Sequence, residues 1–181
     1  MLLVVDNGSV YTTSLLECMK DLGVDFEHRV FSDVPQVNLD NYSSVILSGR
    51  RKNDSLMNVT NSKLILHSLD KNKPLLGICY GAAILALTLG GTIKKMVSPR
   101  HGLYKVQVMT ANPLCNGKID AFESHSYMVS TLGSSFTQIA SSTDCKFEIF
   151  RYDDKNIFGT QFHPEMSPDG RSLLEQFSNI K

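Results

Sequence analysis

From Leu2 to Leu89 the chain repeats one theme: a short aliphatic run, a small polar turn, then apolar positions at helical spacing. That alternation reads as parallel strands joined by crossover helices. Leu2 to Val5 is the first strand, and Asp6-Asn7-Gly8-Ser9 turns into a helix carrying Leu15, Leu16, Met19 and Leu22, with Gly23 as its stop. Val24 to Val30 reads as the second strand. Ser44 to Leu47 is the third, ending in Ser48-Gly49, and a helix containing Leu64, Ile65 and Leu69 follows. Lys73 to Ile78 is the fourth, and Ala82 to Leu89 is helical until Gly90-Gly91. The stretch Gly49 to Asn61 is polar enough to predict a mobile loop beside the third strand.

Past residue 92 the pattern shifts to short alternating segments, Leu103 to Met109, Phe136 to Ser141, Lys146 to Arg151 and Ile157 to Phe162, with one more helix near Asp169 to Asn179. These predict antiparallel or mixed strands added to the parallel core. The whole reads as one α/β domain over residues 1–181, with no internal repeat.

Composition narrows the function classes. The 18 basic and 18 acidic side chains cancel, so no overall positive field collects nucleic acid or an anionic membrane surface. No basic run is longer than Arg50-Arg51-Lys52. No apolar run approaches the ~18 residues of a membrane span, and the amino terminus lacks the pattern of a secretory signal. The cysteines at 18, 79, 115 and 145 have neither the close spacing of a zinc site nor the density of a disulfide framework, so a cytoplasmic, reduced protein is expected.

Gly77-Ile78-Cys79-Tyr80-Gly81 lies where the fourth strand meets its helix and has the G-x-nucleophile-x-G form of a nucleophile elbow, with Cys as the nucleophile. On so tight a turn the nucleophile's backbone is strained, and small neighbours at plus and minus two let the chain pass closely. The amino end of the following helix also favours negative charge there. Near the carboxyl end, Gln161-Phe162-His163-Pro164-Glu165 closes an apolar strand. In an extended segment, residues two apart face one side, so Glu165 is placed to hold one imidazole nitrogen of His163 while the other meets a nucleophile. A His-x-Glu also occurs in zinc deaminases, but those need a later Pro-Cys-x-x-Cys, and no cysteine follows Glu165. No metal is expected. A surface histidine beside a surface glutamate is the bland alternative for this pair taken alone.

Taken together, Cys79, His163 and Glu165 are the parts of a Cys-His-Glu triad. Over essentially its whole length the chain resembles a class I, triad-type glutamine amidotransferase: Gly77 to Gly81 resembles the family's nucleophile motif, and Gly159-Thr160-Gln161-Phe162-His163-Pro164-Glu165 its closing motif. Val5 to Thr12, Gly102 to Val106 and Phe136 to Ser142 are similar to amidotransferase subunits of GMP synthetases. His101-Gly102 is instead similar to the anthranilate synthase subunit, and His125-Ser126-Tyr127 to that of imidazole glycerol phosphate synthase.

The resemblance implies an open, mostly parallel (mixed) twisted sheet with helices on both faces, of flavodoxin-like kind. It implies glutamine as substrate and Cys79, His163 and Glu165 as catalytic residues. It implies an oxyanion hole from the N–H groups of Tyr80 and of the Ser48-Gly49-Arg50-Arg51 loop at Arg50. Gly49 and Ser124-His125-Ser126-Tyr127 match the glutamine-binding positions, with His125 equally readable as a packed histidine. Neither a G-x-x-x-x-G-K-S/T loop nor a Ser-Gly-Gly-x-Asp-Ser phosphate loop is present, so no cofactor is expected in this chain. A separate ATP pyrophosphatase (synthetase) subunit, carrying ATP and Mg²⁺ and using xanthosine monophosphate, is the implied partner. Open alternatives are subunits of the anthranilate or histidine pathways, a stand-alone γ-glutamyl hydrolase, and a catalytically impaired regulatory subunit that binds glutamine. Three departures bear on these. Arg50 and Arg51 stand where the family has small residues, Ala82-Ala83 stand where it has His-Gln or Met-Gln, and Tyr127 stands where GMP synthetase subunits carry Asp.

Overall fold

The computed structural model describes residues 1–180. Its strands are β1 (Leu2–Asn7), β2 (Phe26–Val30), β3 (Ser44–Arg50), β4 (Leu75–Ile78), β5 (Thr92–Val108), β6 (Lys118–Thr131), β7 (Phe136–Ser141), β8 (Ile149–Tyr152) and β9 (Ile157–Thr160). Its helices are α1 (Thr12–Asp21), α2 (Ser55–Asp70), α3 (Tyr80–Thr88) and α4 (Pro168–Ser178). All nine strands join one sheet in the order β2-β1-β3-β4-β9-β8-β7-β5-β6. The first five of that order pair in parallel, and the rest are antiparallel.

Strand alternation divides the core between the two faces. Leu2, Val4, Ile46, Leu76, Ile78 and Phe158 face Leu15 and Met19 of α1 and Leu173, Leu174 and Phe177 of α4. Leu3, Val5, Val45, Leu47, Leu75 and Ile157 face Met57, Leu64 and Ile65 of α2 and Tyr80, Ile84 and Leu85 of α3. Burying each large side chain fully contributes about 1.5–3 kcal/mol, and Leu3, Leu15, Met19, Ile46, Leu47 and Phe158 are all sealed from solvent. Helices on both faces of a parallel core leave the carboxyl ends of β1, β3, β4 and β9 side by side, the usual place for a site in an open α/β sheet.

Several expected boundaries shift. Gly49 and Arg50 belong to β3 rather than to a loop, and α2 begins at Ser55, so the connecting loop is only residues 51–54. The polar run conceals a helix because Asp54 caps it, accepting from the N–H of Met57 at 3.0 Å, and Met57, Thr60 and Asn61 face inward. The fourth strand starts at Leu75 rather than Lys73 and the second at Phe26 rather than Val24. β5 and β6 form a long hairpin, whereas the sequence pattern points only to the part of β5 from Leu103 onward and to no strand at β6. A run of Lys, Ser, Pro and Gly in β5 masks its alternation, and a bulge between Lys95 and Arg100 breaks the register.

Candidate active site

Cys79 joins β4 to α3 at φ 52° and ψ −98°, a conformation that side chains rarely adopt and that costs about 1–3 kcal/mol. The surroundings hold it there. Its N–H donates to the carbonyl of Thr160 in β9 at 2.8 Å, and its carbonyl accepts the N–H of Ala83 at 3.0 Å. A Cβ on Gly77 would lie 2.4 Å from the Gly81 carbonyl oxygen, and one on Gly81 would lie 2.3 Å from that of Leu47. The two glycines are therefore required by close backbone approach, as the elbow motif predicts.

His163 follows β9. Its N–H donates to the carbonyl of Phe122 in β6 at 2.8 Å, and its ring lies 4.5 Å, centroid to centroid, from that of Tyr11. Nδ1 is 2.7 Å from Glu165 Oε1, which leaves the other ring nitrogen for the neighbouring Cys79. Burial disfavours a charged imidazole, but the hydrogen bonds and charges of Cys79 and Glu165 outweigh it and hold His163 up at about 10. The triad residues thus come together as expected, by a different local route. Residues 164–166 form a 3-10 turn rather than extended chain because Pro164 fixes its own φ, and this turn brings Glu165 back beneath His163.

The residues expected to form an oxyanion hole, Tyr80 and Arg50, lie near these three side chains. Tyr80 is the first residue of α3, so its N–H has no partner within the helix. On the other side, the end of β3 is fixed by a buried network. The N–H of Asn7 donates to Ser48 Oγ at 2.9 Å, and that hydroxyl donates to the carbonyl of Gly49 at 2.9 Å. Asn7 Nδ2 donates to the Ser48 carbonyl at 3.0 Å, and Asn61 Nδ2 donates to Asn7 Oδ1 and to the Met57 carbonyl, each at 2.7 Å. Gly49 sits against His163 and Cys79: a Cβ there would be 2.8 Å from His163 Cε1 and 3.6 Å from Cys79 Cβ.

Arg50 turns its side chain to Tyr80 and α2. Its backbone has no positive φ, and its guanidinium lies 4.1 Å above the Tyr80 ring, donating to Asn53 and Asn58. Tyr80 Oη donates to the same Asn58 oxygen at 2.8 Å, and burial pushes its phenol up to about 12. Arg51 and Lys52 are exposed.

A cleft of about 410 Å³ opens from Cys79, bounded by Arg50, Tyr80, Ala83, Ile93, Gln161 and the segment Ser124–Tyr127. Ala83 leaves open the space that a longer side chain would take. Ser124 Oγ accepts from Tyr11 Oη at 3.1 Å, while Ser126 and Tyr127 are exposed. The His125 side chain turns inward to Glu123 and the Tyr127 carbonyl, so only its main chain borders the cleft. Gly49 lies behind Cys79 rather than on the cleft wall. Sequence reasoning does not place Tyr11, Asn58 or Gln161 at the site. Tyr11 and Gln161 stand within motifs that carry the resemblance, but nothing in their spacing gives them a role, and Asn58 falls in the polar stretch that reads as a loop.

No cluster of three His, Cys, Asp or Glu residues is placed to hold a metal among the described residues, and no helix there is long and apolar enough to cross a membrane.

Comparison with known proteins agrees with this geometry. The family model described as glutamine amidotransferase class-I matches residues 3–179, and the chain belongs to that family. It is 35% identical to the A-type chain of a glutamine-hydrolyzing GMP synthase from Thermoplasma acidophilum, over 98% of this chain and 90% of that one. A crystal structure of a GMP synthase A-type chain from the same organism superposes with a TM-score of 0.85 at 31% identity, covering 98% of this chain and 91% of the other. Against the glutamine-hydrolyzing GMP synthase of Ruthia magnifica the identity is 32% over 97% of this chain, which spans only 35% of that longer protein.

Proposed function

We propose that this chain is a glutaminase subunit that supplies ammonia to a separate synthetase subunit for the amination of xanthosine monophosphate to GMP. The observation that carries the reading is the strained Cys79 beside a His163 that Glu165 orients. Cys79 sulfur, as thiolate, attacks the side-chain carbonyl carbon of glutamine, and the oxygen becomes an oxyanion met by the N–H groups of Tyr80 and Arg50. Collapse breaks the C–N bond; imidazolium His163 gives its proton to the departing nitrogen, which leaves as ammonia. Neutral His163 then takes a proton from water, the hydroxide adds to the γ-glutamyl thioester, and glutamate leaves as Cys79 is regenerated. Glu165 keeps the ring in one orientation throughout. The backbone of residues 124–127 borders the place where the amino-acid end of glutamine binds. Arg50, stacked on Tyr80, leaves the oxyanion position free of its side chain.

The short Thermoplasma relative and the much longer Ruthia protein support a division of labour in which a second chain, an ATP pyrophosphatase binding ATP and Mg²⁺, consumes the ammonia. Four free cysteines suit a reducing cytoplasm. The test is glutamate release from glutamine by the purified chain, alone and with that partner loaded with ATP, Mg²⁺ and xanthosine monophosphate, with Cys79→Ala as the blank. Cys79-dependent release raised by the partner is the expected result. No release in either condition, with a partner competent on free ammonia, contradicts the reading.

A further inference from the structure

Behind the cleft wall lies a buried row of ionisable side chains that the mechanism above does not use. Arg100 of β5 is nearly sealed; its Nη1 donates to Glu148 Oε1 at 3.0 Å and to Ser142 Oγ at 2.8 Å, and its Nη2 to Asp144 at 3.0 Å. Glu148 and Glu123 are both fully buried beside Arg100, whose Nη1 also stands 3.6 Å from Glu123 Oε1. Glu123 Oε2 is 2.6 Å from His125 Nε2, and His125 Nδ1 is 2.9 Å from the carbonyl of Tyr127.

Hydrogen-bond inventory limits where the protons can sit. A carbonyl only accepts, so His125 Nδ1 carries hydrogen. Two ionised carboxylates cannot bond each other, and Glu123 Oε1 and Glu148 Oε2 have no N–H or O–H donor to meet them. Arg100 is the one permanent cation against two buried carboxyls, with Asp144 at the surface already pairing its far nitrogen. Every atom is satisfied if both glutamates are protonated and each bond runs one way: Arg100 to Glu148, Glu148 to Glu123, Glu123 to His125, His125 to the Tyr127 carbonyl.

We infer that this proton-loaded row is a brace that fixes the substrate-binding segment Ser124–Tyr127, with Glu123, Glu148 and His125 as positioning residues for glutamine. The inference rests on the glutaminase reading for the identity of the ligand. Burial acts in the same sense on each group, raising Glu148 to about 8, raising Glu123 and lowering His125. The groups facing the row are Arg100 and the Tyr104 ring stacked on it from β5, Ser142, Asp144 and Cys145 from the loop before β8, and His163 from the end of β9. Arg100 and His163 oppose protonation of Glu123, and burial outweighs them. Loss of a proton at alkaline pH sets two acceptors against each other and releases the Tyr127 carbonyl.

The test uses the full chain. In the wild type, KM for glutamine should rise tenfold or more between about pH 6 and about pH 9, with kcat changing less. Glu123→Leu and Glu148→Leu should raise KM by the same order already at neutral pH. Glu123→Gln and Glu148→Gln retain both a donor and an acceptor, so they should rescue most of that loss and flatten the KM profile. Nitrogen NMR of the His125 ring, which needs no activity, should show the neutral Nδ1–H tautomer at neutral pH. An imidazolium signal from His125, or Gln variants as impaired as the Leu variants, overturns the brace. An inactive chain whose His125 is the neutral tautomer counts against the glutaminase reading and leaves the proton assignment standing.

Discussion

Gly49 is the residue on which the spacing of the triad turns. It lets β3 approach His163 more closely than a methyl group allows, since an added Cβ meets His163 Cε1 at 2.8 Å and Ser9 Oγ at 3.3 Å. Gly49 does not have a positive φ, so alanine is free of backbone strain there and its whole effect falls on the imidazole. Gly49→Ala should lower kcat for glutamine by about 100-fold, the order that a displacement of about 1 Å costs, with little change in thermal midpoint. Steady-state kinetics beside a melting curve checks this, and an unchanged kcat would mean that the ring is free to retreat. At Arg50 the side chain is outside the reaction path, and its work is the contact with Tyr80. Arg50→Ala should therefore destabilise by about 0.5–1 kcal/mol, the range of an exposed cation–π contact, as denaturant unfolding would show.

At the scale of elements, the site is where four strand ends meet, and α2 secures one of them. Asp54 caps that helix, and Asn61 within it holds Asn7, which in turn bonds Ser48 at the end of β3. Asp54→Ala should cost about 1 kcal/mol of stability, as lost caps do, seen as a lower denaturant midpoint with unchanged slope. Most of the parallel half is legible in the sequence, because buried strands leave near-continuous aliphatic runs such as Leu2–Val5 and Leu75–Ile78. The triad is legible for a related reason: Gly77, Cys79 and Gly81 record a backbone geometry directly. The β5–β6 hairpin is not, since its strands carry polar residues on exposed positions and buried polar residues inward. Glu123, His125 and Arg100 read as surface charge until the fold gathers them, so the row behind the cleft leaves no linear signal.

At the scale of the whole molecule, titration sets how stability responds to pH. Glu148 is raised from 4.5 to about 8 and His163 from 6.5 to about 10. For both, the folded state binds its proton more tightly than the unfolded chain, so the stabilisation is complete below the unfolded value and is lost as pH rises through the folded one. Stability should fall across that window, first through Glu148 and then through His163, and Glu148→Gln should remove the part below about 8. Unfolding free energies measured at a series of pH values check this, and a stability that rises over the same range would contradict it. The proposed reaction requires a transient covalent bond between Cys79 and the side-chain carbonyl carbon of glutamine. Carbon-labelled glutamine mixed with the chain and its synthetase partner, quenched in acid within a turnover, should leave label on the protein that hydroxylamine releases and that Cys79→Ala never acquires. Glutamate release that survives Cys79→Ala, with no label on the wild-type chain, would contradict it.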